Sequence, residues 1–187
     1  MNDIFPVQAP DSVPALAFED AAGRRRSLAG FAGQPVLLNL WAPWCAACVD
    51  ELPALSALQA RLQATPLKVV AVAIDPDGID KVRALYAELR VAGLEPFADR
   101  TRAVVRGLGL RTIPVTLLID AQGREIGRAK GAQAWDTPAA AREIADRLGL
   151  RLPDPGPGSP TTAGLRPGEV ALARSAGLMQ PTIASLP

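Results

Sequence analysis

The sequence predicts an α/β domain with a central mixed sheet flanked by helices, an N-terminal hairpin and a Pro/Gly-rich C-terminal extension. Three observations predict it. Apolar blocks at residues 36–40 and 67–74 are too short for helices and suit strands covered on both faces, and stretches with helical spacing follow each of them. A turn at 120–123 joins an apolar run to an antiparallel return. Beyond Leu152 the composition changes abruptly, with Pro153, Pro155, Gly156, Pro157, Gly158 and Pro160 in close succession.

Taken in order, Ala15–Phe18 and the segment from Arg25 to Leu28 flank a turn at Ala21, Ala22 and Gly23, a small opening hairpin. The strand at 36–40 delivers the chain to Trp44 and Cys45. A helix then runs to about Gln63, with Leu52, Leu55, Leu58 and Leu62 on one face and Pro53 inside it as a source of a kink. The strand at 67–74 ends in a loop of Asp75, Pro76, Asp77 and Gly78. Ile79, Val82, Leu85, Tyr86 and Leu89 give helical spacing up to a stop at Gly93. A short helix at 101–108 precedes a strand over Ile113 and 115–119, and residues 124–130 return as its antiparallel partner. Thr137 or Asp136 caps a last helix that has Pro138 at its first position, buries Ile144, Ala145 and Leu148, and stops at Gly149. The expected organisation is an N-terminal segment at 1–13, a domain at 14–150 and a Pro/Gly-rich tail at 151–187, in which residues 169–179 make a short helix only by docking on the domain, a largely disordered tail being the alternative.

Composition removes several function classes. The 187 residues are 49% hydrophobic and 21% charged, enough apolar surface for a core without staples. A net charge of +1 with no long block of one sign provides no footprint for nucleic acid. Arg24, Arg25 and Arg26 read as a solvated hairpin. Histidine is absent, so a Ser-His-Asp or Cys-His nucleophile and imidazole sites for zinc or copper are out of reach. The first twenty residues carry four acids and three prolines and do not read as a signal peptide, and no stretch has the length of a membrane span. The chain is expected to be soluble.

The two cysteines stand three apart in Trp41-Ala42-Pro43-Trp44-Cys45-Ala46-Ala47-Cys48, at a strand end and opening a helix. The unpaired N–H groups and positive dipole end of a helix N-terminus stabilise a thiolate, lowering a cysteine pKa from about 8.5 into a range of roughly 3.5–7.5. Cys45 is the expected nucleophile. Cys48 returns to the same side one turn later, within disulfide reach and more enclosed, as a resolving thiol. Half a zinc site would look the same, but the chain offers no further Cys or His ligand.

These residues resemble the thioredoxin superfamily, and most closely its TlpA/ResA-like branch. The likeness covers residues 14–150 and includes the run from Gly33 to Cys45, the continuation Cys48-Val49-Asp50-Glu51-Leu52-Pro53, and the segment from Thr112 to Asp120 with Gly123 beyond. The resemblance implies a thioredoxin-like fold in which Pro114 is cis and faces the active site. It implies that the backbone of Ile113 pairs with an extended substrate peptide, that Trp44 is an apolar wall over the cysteine pair, and that Trp41 anchors beneath it. For both tryptophans, packing without a further role is the alternative. Thioredoxin proper keeps a buried Asp in the strand before the motif; the matching residue here is Asn39, which does not titrate. Glu51 is the acid this branch retains, so it is the expected residue for proton transfer or tuning, against the alternative of a solvated helix carboxylate. Asp50, Arg128 and Lys130 read as solvated charges.

The expected function is that of a protein-disulfide reductase working through a Cys45/Cys48 redox pair. Its expected partners are a disulfide-containing protein substrate and an upstream thiol protein as electron donor. No metal or organic cofactor is implied, and the chain reads as a monomer. The resemblance points to the periplasm or cell envelope and to roles in cytochrome c maturation or thiol homeostasis; the N-terminal residues leave the cytoplasm as the alternative. A thioredoxin-fold adaptor module and a peroxiredoxin-like peroxide reductase are the competing readings. Ala46 and Ala47 between the cysteines add no imidazole to stabilise a thiolate further, which argues against a strongly oxidising potential.

Overall fold

The structure is a computed structural model and describes residues 11–152. Residues 1–10 of the N-terminal segment and 153–187 of the tail lie outside the described residues. The opening hairpin forms from β1 (Ala17–Glu19) and β2 (Arg25–Ser27), followed by a single 3-10 turn at Leu28–Phe31. Then come β3 (Val36–Trp41), α1 (Ala46–Arg61), β4 (Lys68–Ala73), α2 (Ile79–Glu88), β5 (Phe97–Ala98), α3 (Ala103–Gly107), β6 (Val115–Ile119), β7 (Glu125–Lys130) and α4 (Pro138–Leu148).

All seven strands belong to one sheet in the order β2-β1-β5-β4-β3-β6-β7. The β3/β4 and β4/β5 pairs are parallel and the others antiparallel, so the sheet is mixed as expected. Strand β3 is buried along its whole length because it is central and covered on both faces. Its side chains divide between two cores, as the period of two requires. Leu37 and Trp41 face a cluster with Leu52, Leu55 and Leu58 of α1, Val82 and Tyr86 of α2 and Ile144 of α4. Val36, Leu38 and Leu40 face the other cluster, with Phe18, Phe97 and Val104.

Two departures from the sequence reading have local causes. Helix α2 ends at Glu88 with Leu89 as C-cap, short of the expected stop at Gly93, because Arg90 adopts a left-handed backbone at φ 55°. Strand β5 was not expected at all: its two residues carry no readable periodicity, yet they pair with both β4 and β1 and so join the opening hairpin to the main sheet.

Both hairpin turns have one construction. Asp20 Oδ1 accepts from the N–H groups of Ala22 and Arg24 while its Oδ2 accepts from Arg24 Nε. Asp120 does the same with Gln122 and Arg124. Gly23 and Gly123 supply the positive φ, 73° and 76°, that each turn requires.

Candidate active site

Strand β3 ends at Trp41, and a short turn places Cys45 as the N-cap of α1, with the Cys45 N–H donating to the Ala42 carbonyl at 3.0 Å. The Cys45 carbonyl accepts from the N–H groups of both Cys48 and Val49 at 3.0 Å, which fixes the first helical turn. Cys45 and Cys48 form a disulfide with a Cα–Cα distance of 5.2 Å, inside the usual range of about 4.4–6.8 Å. Cys48 is fully buried in the α1-side core, whereas Cys45 packs against that core from a partly exposed position. The two sulfurs are therefore inequivalent in access.

Glu51 lies one turn beyond Cys48 and, against the alternative of a solvated carboxylate, is only 3% exposed. Three groups donate to it: Asn39 Nδ2 to Oε1 at 2.6 Å, and the Gln133 N–H and Trp135 Nε1 to Oε2 at 3.1 and 3.2 Å. Asn39 is the polar position in the row Leu37, Asn39, Trp41 that faces α1, and its cross-strand neighbour Thr116 accepts a second bond from Nδ2 at 3.0 Å. Burial pushes the Glu51 carboxyl above the usual glutamate value, outweighing the lowering by its three donors. Asn39 Oδ1 has no partner among the described residues.

The Ile113–Pro114 peptide bond is cis, as the resemblance implies, and leads directly into β6. Ile113 packs against both cores. Trp41 is buried and stacks on Tyr86 with ring centroids 6.0 Å apart. Trp44 is 59% exposed, and the Arg102 guanidinium lies 5.8 Å from its ring centroid. Asp50 is exposed, as expected. Arg128 is not a solvated charge: its guanidinium donates twice to the Glu125 carboxylate, at 2.6 and 2.7 Å, while Lys130 is exposed.

Sequence reasoning missed Thr116, Gln133 and Trp135 around the carboxylate and Arg102 at the rim. A tryptophan between Ala134 and Asp136, in a loop otherwise lacking large apolar residues, was the one available signal for Trp135. Among the described residues no group of three His, Cys, Asp or Glu side chains is placed to hold a metal ion.

This arrangement has counterparts. The Redoxin family model matches residues 8–144. The thiol-disulfide oxidoreductase ResA of Bacillus thuringiensis subsp. konkukian is 26% identical over 120 residues, covering 64% of this chain and 68% of the relative. The thioredoxin-like protein YneN of Bacillus subtilis is 39% identical over 66 residues, 35% of this chain and 38% of that one. Among solved structures, a chain of Chlorobium tepidum assigned as thiol:disulfide interchange protein DsbE is similar at a TM-score of 0.65 and 25% identity, covering 78% of this chain and 99% of that one. A secreted thiol-disulfide isomerase of Corynebacterium glutamicum shares the fold at a TM-score of 0.64 and 21% identity, covering 77% of this chain and 91% of the other. With its disulfide at the head of α1 and its cis Pro114, the chain belongs to the Redoxin family, as a TlpA/ResA-like protein of the thioredoxin superfamily.

Proposed function

We propose that this protein is a thiol–disulfide oxidoreductase that reduces or exchanges disulfides in protein substrates through Cys45 and Cys48. The observation that carries this reading is the pair itself: a disulfide at a helix N-terminus in which Cys45 is partly exposed and Cys48 fully buried. In the reduced protein the Cys45 thiolate attacks one sulfur of the client disulfide, forming a mixed disulfide and expelling a client thiolate. Cys48 then gives up its proton and attacks Cys45 Sγ, which expels the second client thiolate. Two electrons pass to the client and the pair ends as the disulfide. An upstream thiol protein returns the electrons by the same exchange in reverse.

Glu51 is the proposed acceptor of the Cys48 proton. Burial raises its affinity for a proton above that of an ordinary glutamate, which suits an acceptor of the thiol proton. Asn39 serves both protonation states. In the present orientation its amide nitrogen donates to the carboxylate; turned over, its Oδ1 accepts from a protonated Glu51 while the Thr116 hydroxyl donates to the same oxygen. Ile113, beside cis Pro114, is the proposed backbone partner for an extended client, and Trp44 the apolar contact next to the attacking sulfur.

The finer proposal is a monomeric envelope reductase acting on haem-binding cysteines of an apocytochrome or on envelope thiols generally, supported by the ResA and DsbE likeness. Among the described residues no helix is long and apolar enough to cross a membrane. The test is directional. Cys48→Ser should accumulate mixed disulfides with client proteins, and Cys45→Ser should trap none and reduce nothing. Equal residual turnover in both variants would overturn the division of roles. The proteins captured on Cys48→Ser in extracts of each compartment identify client and address together.

A further inference from the structure

We propose that Trp44 and Arg102 form a recognition platform for an acidic side chain flanking the reacting cysteine of the client polypeptide. The proposal rests on the oxidoreductase reading and adds a substrate class to it. Trp44 is the one exposed large hydrophobic side chain among the described residues, and it immediately precedes Cys45. Arg102 covers that ring at cation–π distance. A guanidinium held over a ring by cation–π attraction alone has N–H groups left to donate, and that fork matches a carboxylate. No carboxylate of the described residues uses it.

The backbone at Arg102 is specialised. Its φ of 57° and ψ of 25° lie in the left-handed region, where Gly or Asn would be unstrained and a long side chain is not. Buried Asp99 enforces the turn: Oδ1 accepts from the Thr101 N–H at 2.9 Å and the Thr101 hydroxyl at 2.7 Å, and Oδ2 accepts from the Val104 N–H at 2.8 Å. The turn fixes the backbone from which the Arg102 side chain reaches the Trp44 ring.

Along the chain from this turn to Pro114 the formal charge has one sign. Residues 100–114, which lead from this turn to cis Pro114, contain Arg100, Arg102, Arg106 and Arg111 and no acid. Arg100 is engaged by Glu19 and the Pro76 carbonyl, and Arg106 by the Thr101 carbonyl. Arg102 and Arg111 are exposed and have no ion-pair partner among the described residues. An extended client lying beside Ile113 with its sulfur at Cys45 thus meets unpaired positive charge. An Asp or Glu next to the client cysteine pairs with the Arg102 fork while its methylene groups rest on the Trp44 ring.

The experiment compares three disulfide-containing peptides, identical except for Glu, Gln or Lys next to the cysteine, as substrates of the reduced protein. The expected order of kcat/KM is Glu over Gln over Lys. The Glu-to-Lys ratio should be about fivefold at low ionic strength and fall toward one as salt is added. Arg102→Asn keeps a residue that tolerates the left-handed backbone and should bring that ratio close to one. A wild-type protein without the preference, or a preference that survives in Arg102→Asn, would overturn the proposal. The salt series on the wild type decides the matter even if the variant does not fold, because a salt-independent ratio rules out the charge pairing. Failure to reduce any of the three peptides would instead overturn the oxidoreductase reading, and this proposal with it.

Discussion

The side chains of Asn39 and Glu51 meet at 2.6 Å inside the domain, one from the strand that leads to the cysteine motif and one from the helix that follows it. A strand acid, as in thioredoxin proper, and a helix acid, as here, therefore bring a carboxylate to neighbouring positions. With the acid on α1, the strand residue becomes its hydrogen-bond partner. Glu51→Gln reproduces the shape and hydrogen bonds of the protonated acid without the capacity to accept a proton. It should slow resolution of the mixed disulfide by about 100-fold at neutral pH, read in single-turnover release of client. An unchanged release rate would confine Glu51 to a structural role.

The same variant should have a stability signature of definite sign. Burial raises the Glu51 pKa in the folded protein, so the native state binds its proton more tightly than the unfolded chain does. The contribution of Glu51 to stability is then fully present below the ordinary glutamate value and is lost as pH rises through the raised one. Denaturant midpoints of the wild type should decline relative to Glu51→Gln across that window and stay parallel above it. A gap that widens toward acid in favour of the variant would show the carboxyl to be depressed rather than raised.

How far the sequence could be read depended on the range of the forces involved. The Cys45/Cys48 pair, the buried strand β3 and the leucine face of α1 were legible because spacing along one element determines them. The cap at Thr137 and the C-cap at Gly149 were legible for the same reason: each is a local backbone requirement met by a specific residue type. The environment of Glu51 was not. Its donors Gln133 and Trp135 lie 82 and 84 positions away, and the Asn39–Thr116 contact spans 77. Only the packing of β6, β7 and the following loop around α1 brings them together. Strand β5 was lost because two residues are too few for any period to register.

The Trp135 indole donates to Glu51, and if Glu51 takes the Cys48 proton as proposed, removing that donor should be visible in a pH profile. Trp135→Phe keeps most of the apolar volume but deletes the Nε1 donor to Oε2, leaving that oxygen the Gln133 N–H alone. Losing a donor to the charged form raises the carboxyl pKa further. The acidic limb of the rate–pH profile should move to higher pH, with a stability loss of about 1–3 kcal/mol from the lost hydrogen bond and imperfect packing. A stability loss with an unmoved profile would show that the indole merely fills space.

Asp120 tests whether the β6–β7 turn is held by charge or by shape. Its carboxyl is partly desolvated, which raises its pKa. The Arg124 N–H, the Arg124 guanidinium and the Gln122 N–H outweigh that and hold it below the ordinary aspartate value. A depressed pKa means that the stabilisation is present above the ordinary value and is lost as pH falls through the lowered one. Asp120→Asn retains an oxygen for the backbone donors and gives up the charge facing Arg124, which lies 2.8 Å away and is half exposed, so solvent screens much of the pairing. The variant should melt about 2–4 °C lower than the wild type at neutral pH, and the two should converge in acid. If the difference instead persists unchanged at low pH, the turn depends on the geometry of its backbone hydrogen bonds. The ion pair would then contribute nothing measurable to the hairpin whose other end, through Gly131, is bonded to the Pro114 carbonyl at the active site.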